Sequence, residues 1–174
     1  MKQIIIIRKE NMGDEGLFGT AFASPGDLTW SSSELSWVDE NKDGKRDPNV
    51  SCIAQIRTTA RLVLSPKRST PEKPVYVYQL ENVPDAVAVQ IHKMNFVGRK
   101  SKGFQADAEA CIGLGKGRGK LKNIYGNMQE AITGSTQAMK EFMDWANGDP
   151  IQVVISEQFP GGLDITPSSK GATT

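Results

Sequence analysis

His92 is the only histidine in the chain, and Cys111 is one of two cysteines. Both stand in "VQIHKMNFVGRKSKGFQADAEACIGLGKG", Val89 to Gly117. The histidine ends one short apolar run and the cysteine opens another. A thiolate is a strong nucleophile, but a cysteine needs a neighbour that lowers its pKa. An imidazole does this by taking the proton, provided that a third group holds the ring. Asn95 or Asp107 would be that third group. Backbone N–H groups around Gly113 and Gly115 would serve as an oxyanion hole. Cys111, His92 and Asn95 are therefore the candidate catalytic set, and acyl transfer or amide hydrolysis is the chemistry they suit. The competing reading is structural. Cysteine is among the most buried residue types, "ACIGL" is apolar, and apolar surroundings raise a thiol's pKa and make it inert. His92 would then simply hydrogen-bond a carbonyl.

A second group carries hard oxygen ligands. In "DENKDGKRD", Asp39, Asn41, Asp43, Gly44 and Asp47 match positions 1, 3, 5, 6 and 9 of a calcium loop, which needs several oxygens around a sharp glycine turn. Asp39, Asn41, Asp43 and Asp47 are the candidate metal residues, and calcium is the one cofactor the sequence offers. Val50 stands where the bidentate glutamate belongs. The alternative is a hairpin turn at Asp43-Gly44 with solvated charges around it. Cys52, Cys111 and His92 lack a fourth ligand and the C-x-x-C spacing of a zinc site, so Cys52 is expected to pack as a small apolar residue. "GLGKGRGKLK" alternates glycine with basic residues, as an anion patch would require. It lacks the order of a phosphate-binding loop and is expected to be a solvated loop.

The elements that must position these residues are mostly strands. "QIIIIRK" reads as a strand buried on both faces, and Gly16 to Ala23 as a weaker one. Ser33 to Pro66 reads as two strands joined at Asp43-Gly44. Val75 to Leu80 and Ala86 to His92 give two more, split at "ENVPD". Lys93 to Ala110 has no period and reads as loop. "STQAMKEFMDWANG" is the one good helix: Ala138, Met139, Phe142, Met143 and Ala146 form its apolar face, Ser135 or Thr136 caps its start, and Gly148 ends it. "DPIQVVISE" is a last strand. The expected fold is mainly β with one C-terminal helix (α+β), as an antiparallel sheet or small barrel or sandwich. Residues 1–156 form a single domain, and 157–174, rich in Pro, Gly, Ser and Thr, form a flexible or partner-held tail.

Composition narrows the function. Twenty-one basic and twenty acidic residues leave a net charge of +1, so no specific nucleic-acid partner is expected. No apolar run is long enough to span a membrane. "MKQIIIIRKEN" is too short for a signal-peptide core, and two cysteines fit free thiols in a reducing compartment.

Several segments carry a resemblance. "WVDEN", "SCIAQIRTTARLVLSPK", "ENVP", "VQIHKMN", "ACIGLGKG" and "STQAMKEFM" occur in that order. They resemble a family of small phage and prophage proteins defined as a domain of unknown function. Its pattern runs W-x-D-N, S-C-I-P-x-G-x-Y, V-P, I-H-x-G-N, G-C-I-x-L-G, S-x-x-A. The chain departs from it at Ala54, Ile56, Thr58, Met94 and Ala110. Strand, His92, loop and Cys111 also resemble the layout of the L,D-transpeptidases of bacterial cell walls, whose motif is S/T-H-G-C-x-N. Here Glu109 and Ala110 replace that motif's histidine and glycine, and Gly113 its asparagine. These resemblances imply a phage-type protein, made in the bacterial host's cytoplasm and carried into a virion in some cases. One expectation is a Cys111/His92 thiol site acting on peptidoglycan peptides. The other is a non-enzymatic particle component, assembly component or host-interaction protein, with phage structural proteins as partners.

Overall fold

The computed structural model describes residues 1–48 and 50–158. It is mostly β, with one helix near the C-terminus. The strands are β1 (Gln3–Asn11), β2 (Leu17–Ser24), β3 (Thr29–Glu34), β4 (Ile56–Leu64), β5 (Tyr76–Leu80), β6 (Gln90–Ile91), β7 (Gly113–Gly115), β8 (Gly117–Lys122), β9 (Met128–Thr133) and β10 (Ile151–Glu157); the helix, α1, is Ser135–Ala146. Eight strands form one sheet in the order β6-β5-β4-β10-β1-β2-β3-β7, and β8 and β9 form a separate hairpin. The sheet is mixed, because β1 and β10 run parallel.

Alternation along β1 turns Ile4, Ile6 and Arg8 into the interior and leaves Ile5 and Ile7 half-buried, so this strand is not buried on both faces as its sequence suggests. The helix lays Ala138, Phe142 and Ala146 into the same core. Phe142 meets Trp30 of β3 at 6.0 Å and Tyr78 of β5 at 5.3 Å, both edge-on. Those strands stand five places apart in the sheet, so one ring meets both only because the sheet curls around the helix. Burying that ring contributes about 2–3 kcal/mol. The curled edges meet at Ile91 and Ile112, which form a single parallel bridge. The His92 N–H donates to the Ile112 carbonyl at 3.1 Å and the Ile112 N–H to the Gln90 carbonyl at 2.9 Å. The result is a nearly closed barrel with one short seam.

Three further expectations need correction. Residues 35–55 are not part of a hairpin: β3 pairs with β2 and β7, and β4 with β10 and β5, so the two strands flanking Asp43-Gly44 are not neighbours. Arg46 ties this segment down by donating to the carbonyls of Ser51, Cys52 and Asp85. The glycine- and lysine-rich stretch is the β8–β9 hairpin rather than loop. Its register rests on charge, with Arg118 pairing with Glu130 at 3.0 Å and stacking over Phe18 at 4.3 Å. The helix is capped by neither Ser135 nor Thr136, because Gly134, at φ 64°, takes the N-cap position. Glu157 ends β10 and pairs with Arg8 at 2.8 Å. The expected tail beyond Gln158 lies outside the described residues.

Candidate functional site

The seam brings His92 and Cys111 onto the same side of the barrel wall. Ile91 and Ile112 point into the core. Alternation therefore turns Gln90, His92 and Cys111 the other way. The turn after β4 covers this outer face with Arg68. Its guanidinium donates through Nη1 to Gln90 Oε1 at 3.0 Å and lies 2.9 Å through Nη2 from His92 Nε2. The other ring nitrogen, Nδ1, lies 2.9 Å from the Lys93 carbonyl. A carbonyl only accepts and a guanidinium only donates. The proton must therefore sit on Nδ1, and the Nε2 lone pair accepts from Arg68.

His92 is buried, and its pKa falls to about 4, chiefly through desolvation and further through the Arg68 charge. Protonating Nε2 would break its bond to Arg68 and set two cations face to face. Among the described residues no hydrogen bond joins His92 to Cys111. Burial pushes the Cys111 thiol up, by more than nearby backbone groups of Gln90 and Ala110 and the Arg68 charge pull it down. Cys111 packs beside a small apolar cluster of Phe18, Leu35, Met94, Val97 and Ile132.

Asn95 is held elsewhere. Its Oδ1 accepts from Ser135 Oγ at 2.6 Å, its N–H donates to Asp107 Oδ2 at 2.8 Å, and its carbonyl accepts from Ile132. It thus ties the loop after β6 to the hairpin and to the first turn of α1, and orients no imidazole. Asp107 likewise spends one oxygen on the N–H groups of Asn95 and Phe96.

Asp39, Asn41 and Asp43 gather around the Gly44 turn, with Asp47 beside them. Their oxygens face the loop's own N–H groups: Asp39 accepts from Asp43 and Gly44 at 3.1 and 2.9 Å, Asp43 from Lys45 at 2.9 Å, and Asp47 from Glu40 at 2.9 Å. Among the described residues no three His, Cys, Asp or Glu side chains converge in a metal-holding group. Cys52 is buried with its thiol pushed up to about 12, mainly by desolvation. It packs with the core, as its sequence context suggests.

Sequence reasoning missed Arg68. It is one basic residue among several in "SPKRST", and only the fold carries it to the seam. Next to it, a pocket of about 410 Å³ opens between β5, the seam and α1. Compared with models of protein families, with curated proteins and with solved structures, the chain matches none.

Proposed function

We propose that this chain is a non-catalytic protein of the phage type its motifs resemble, acting in a particle, its assembly or contact with the host. His92 and Cys111 serve in it as parts of the barrel seam. One observation carries this reading: both nitrogens of His92 are already engaged, and Nε2 accepts from a guanidinium. An imidazole in that state takes no proton from a thiol. A raised Cys111 pKa agrees with it. The surface agrees as well, since the β8–β9 turn exposes Ile124, Tyr125 and Met128, apolar side chains of the kind that contact sites display.

Alkylation of the native full chain tests the proposal. With iodoacetamide at pH 7, Cys111 is expected to react more slowly than free cysteine. His92→Ala is expected to cost roughly 1–3 kcal/mol, because it strips Arg68 and the Lys93 carbonyl of a partner. Cys111 reacting faster than free cysteine would overturn the reading, above all if His92→Ala slowed it without loss of stability and the chain cleaved or transferred wall peptides. That result would restore the thiol site on peptidoglycan peptides.

A further inference from the structure

The pocket beside the seam has a chemistry of its own. Its volume is about 410 Å³, within the range of small-molecule sites. The apolar part of its wall comes from Val75 and Val77 at β5 and from Met139 and Met143 of α1. Three cations, Arg68, Lys93 and Lys140, lie in the same wall, and no acidic residue does. Lys140 is paired with Asp144 one helical turn on. Arg68 and Lys93 have no carboxylate partner among the described residues.

Arg68 is also held in place. Gln90 and His92, both neutral acceptors, fix its guanidinium, with Ser65 Oγ at 3.4 Å as a third neighbour. They orient the group and leave its charge uncompensated. Its Nε–H and one hydrogen on Nη2 have no protein partner among the described residues, and two such donors grip a carboxylate side by side. Holding the side chain in advance removes part of the entropy cost of binding.

We infer that this pocket binds a small monocarboxylate with an apolar body, its head on Arg68 beside Lys93 and its body between the two valines and the two methionines. Methionine suits such a wall because its flexible thioether fits apolar groups of varied shape. Two sources share this chemistry: a short acyl carboxylate, and the C-terminal carboxylate of a peptide ending in an apolar residue. The site does not depend on whether Cys111 reacts.

Calorimetric titration of the full chain with octanoate, with N-acetyl-Leu-Leu and with the C-terminal amide of that dipeptide tests it. At least one carboxylate is expected to bind with a Kd below about 1 mM, a 4 kcal/mol interaction. Octanoate alone binding identifies the acyl source, and the dipeptide alone the peptide source. If the dipeptide binds, its amide is expected to bind about tenfold more weakly. Arg68→Gln is expected to weaken binding by about tenfold or more, and Arg68→Lys by less, since lysine keeps the charge and loses the paired donors. Circular dichroism and melting confirm that each variant is folded. Met143→Glu, which puts a negative charge in the wall at a half-exposed helix position, is expected to abolish binding independently of Arg68. Failure of both carboxylates to bind the unaltered chain, or binding unchanged in folded Arg68→Gln and Met143→Glu, would overturn the assignment.

Discussion

Arg8 and Arg68 each lie beside a cysteine, and the barrel holds them in opposite ways. Arg8 is buried in the wall. Its Nε and Nη2 grip Glu34 at 2.8 and 2.7 Å, Nη1 meets Glu157 at 2.8 Å, and Nη2 also donates to the Ile53 carbonyl at 2.7 Å. Burial is the largest single influence and opposes its charge, but Glu34, Cys52 and Glu157 together outweigh it and hold its pKa above the ordinary arginine value. Arg68 is exposed and anchored by a neutral amide and a neutral imidazole. The first guanidinium is compensated and structural, whereas the second is positioned with its charge still open to a partner. The neighbouring thiols teach a related point. Each arginine pulls its cysteine's pKa down, yet both Cys52 and Cys111 are raised, because burial comes first in each. A cation nearby is not enough to make a reactive thiol.

The sharpest way to break this comparison is at Arg8. Glu34→Ala leaves a buried guanidinium with one carboxylate, and is expected to cost about 3–5 kcal/mol in urea unfolding. Arg8→Met combined with Glu34→Leu, which removes both charges, is expected to recover more than half of that. A single-variant loss below about 1 kcal/mol would mean that the cluster is far wetter than its geometry implies.

His92 sharpens the other side. Its folded pKa is about 4, against an ordinary 6.5. At pH 7 the ring is neutral both folded and unfolded. Below 6.5 the unfolded ring takes up a proton that the folded ring refuses until about 4. The stability tied to the neutral ring is therefore complete above pH 6.5 and drains away as the pH falls towards 4. At about 1.4 kcal/mol per pH unit, this amounts to about 2 kcal/mol between pH 6.5 and 5. His92→Gln has no such term, so its stability gap from the unaltered chain is expected to narrow by about that much between pH 7 and 5. A gap that stays constant would show a ring that titrates normally and is not clamped by Arg68.

The smallest effect belongs to the loop at Asp39–Asp47. Asp39→Ala removes the acceptor of two N–H groups in an exposed turn and is expected to cost about 1 kcal/mol. Millimolar calcium is expected to leave the melting temperature of the unaltered chain where it was. A rise that Asp43→Ala abolishes would make this loop a calcium site instead.

What the sequence by itself determined about this protein is local. Alternating apolar residues fall at β5 and β10, an unbroken apolar run marks β1, and a 3.6-residue apolar stripe marks α1, so the β-rich class with one late helix could be read directly, although the face that β1 buries could not. Cys52 as a packed residue could be read as well. The β8–β9 hairpin could not, because its strand of glycine and basic residues has no apolar period and is held by Arg118 pairing across to Glu130. At the site, the sequence marked His92 and Cys111 as chemically notable, and the fold set them on the same side of one seam. We propose that they form no catalytic pair because of residues elsewhere in the chain. Arg68 arrives from a turn 24 residues before His92 and takes the lone pair that a base would need. Ser135, 40 residues after Asn95, takes the oxygen that would have oriented the ring. The curl of the sheet around Phe142 is likewise a tertiary outcome, and it is what brings the two barrel edges together. Periodicity reports which face of a segment is buried. It carries no record of which distant side chain will fill a histidine's hydrogen bonds, because that depends on closure of the whole barrel.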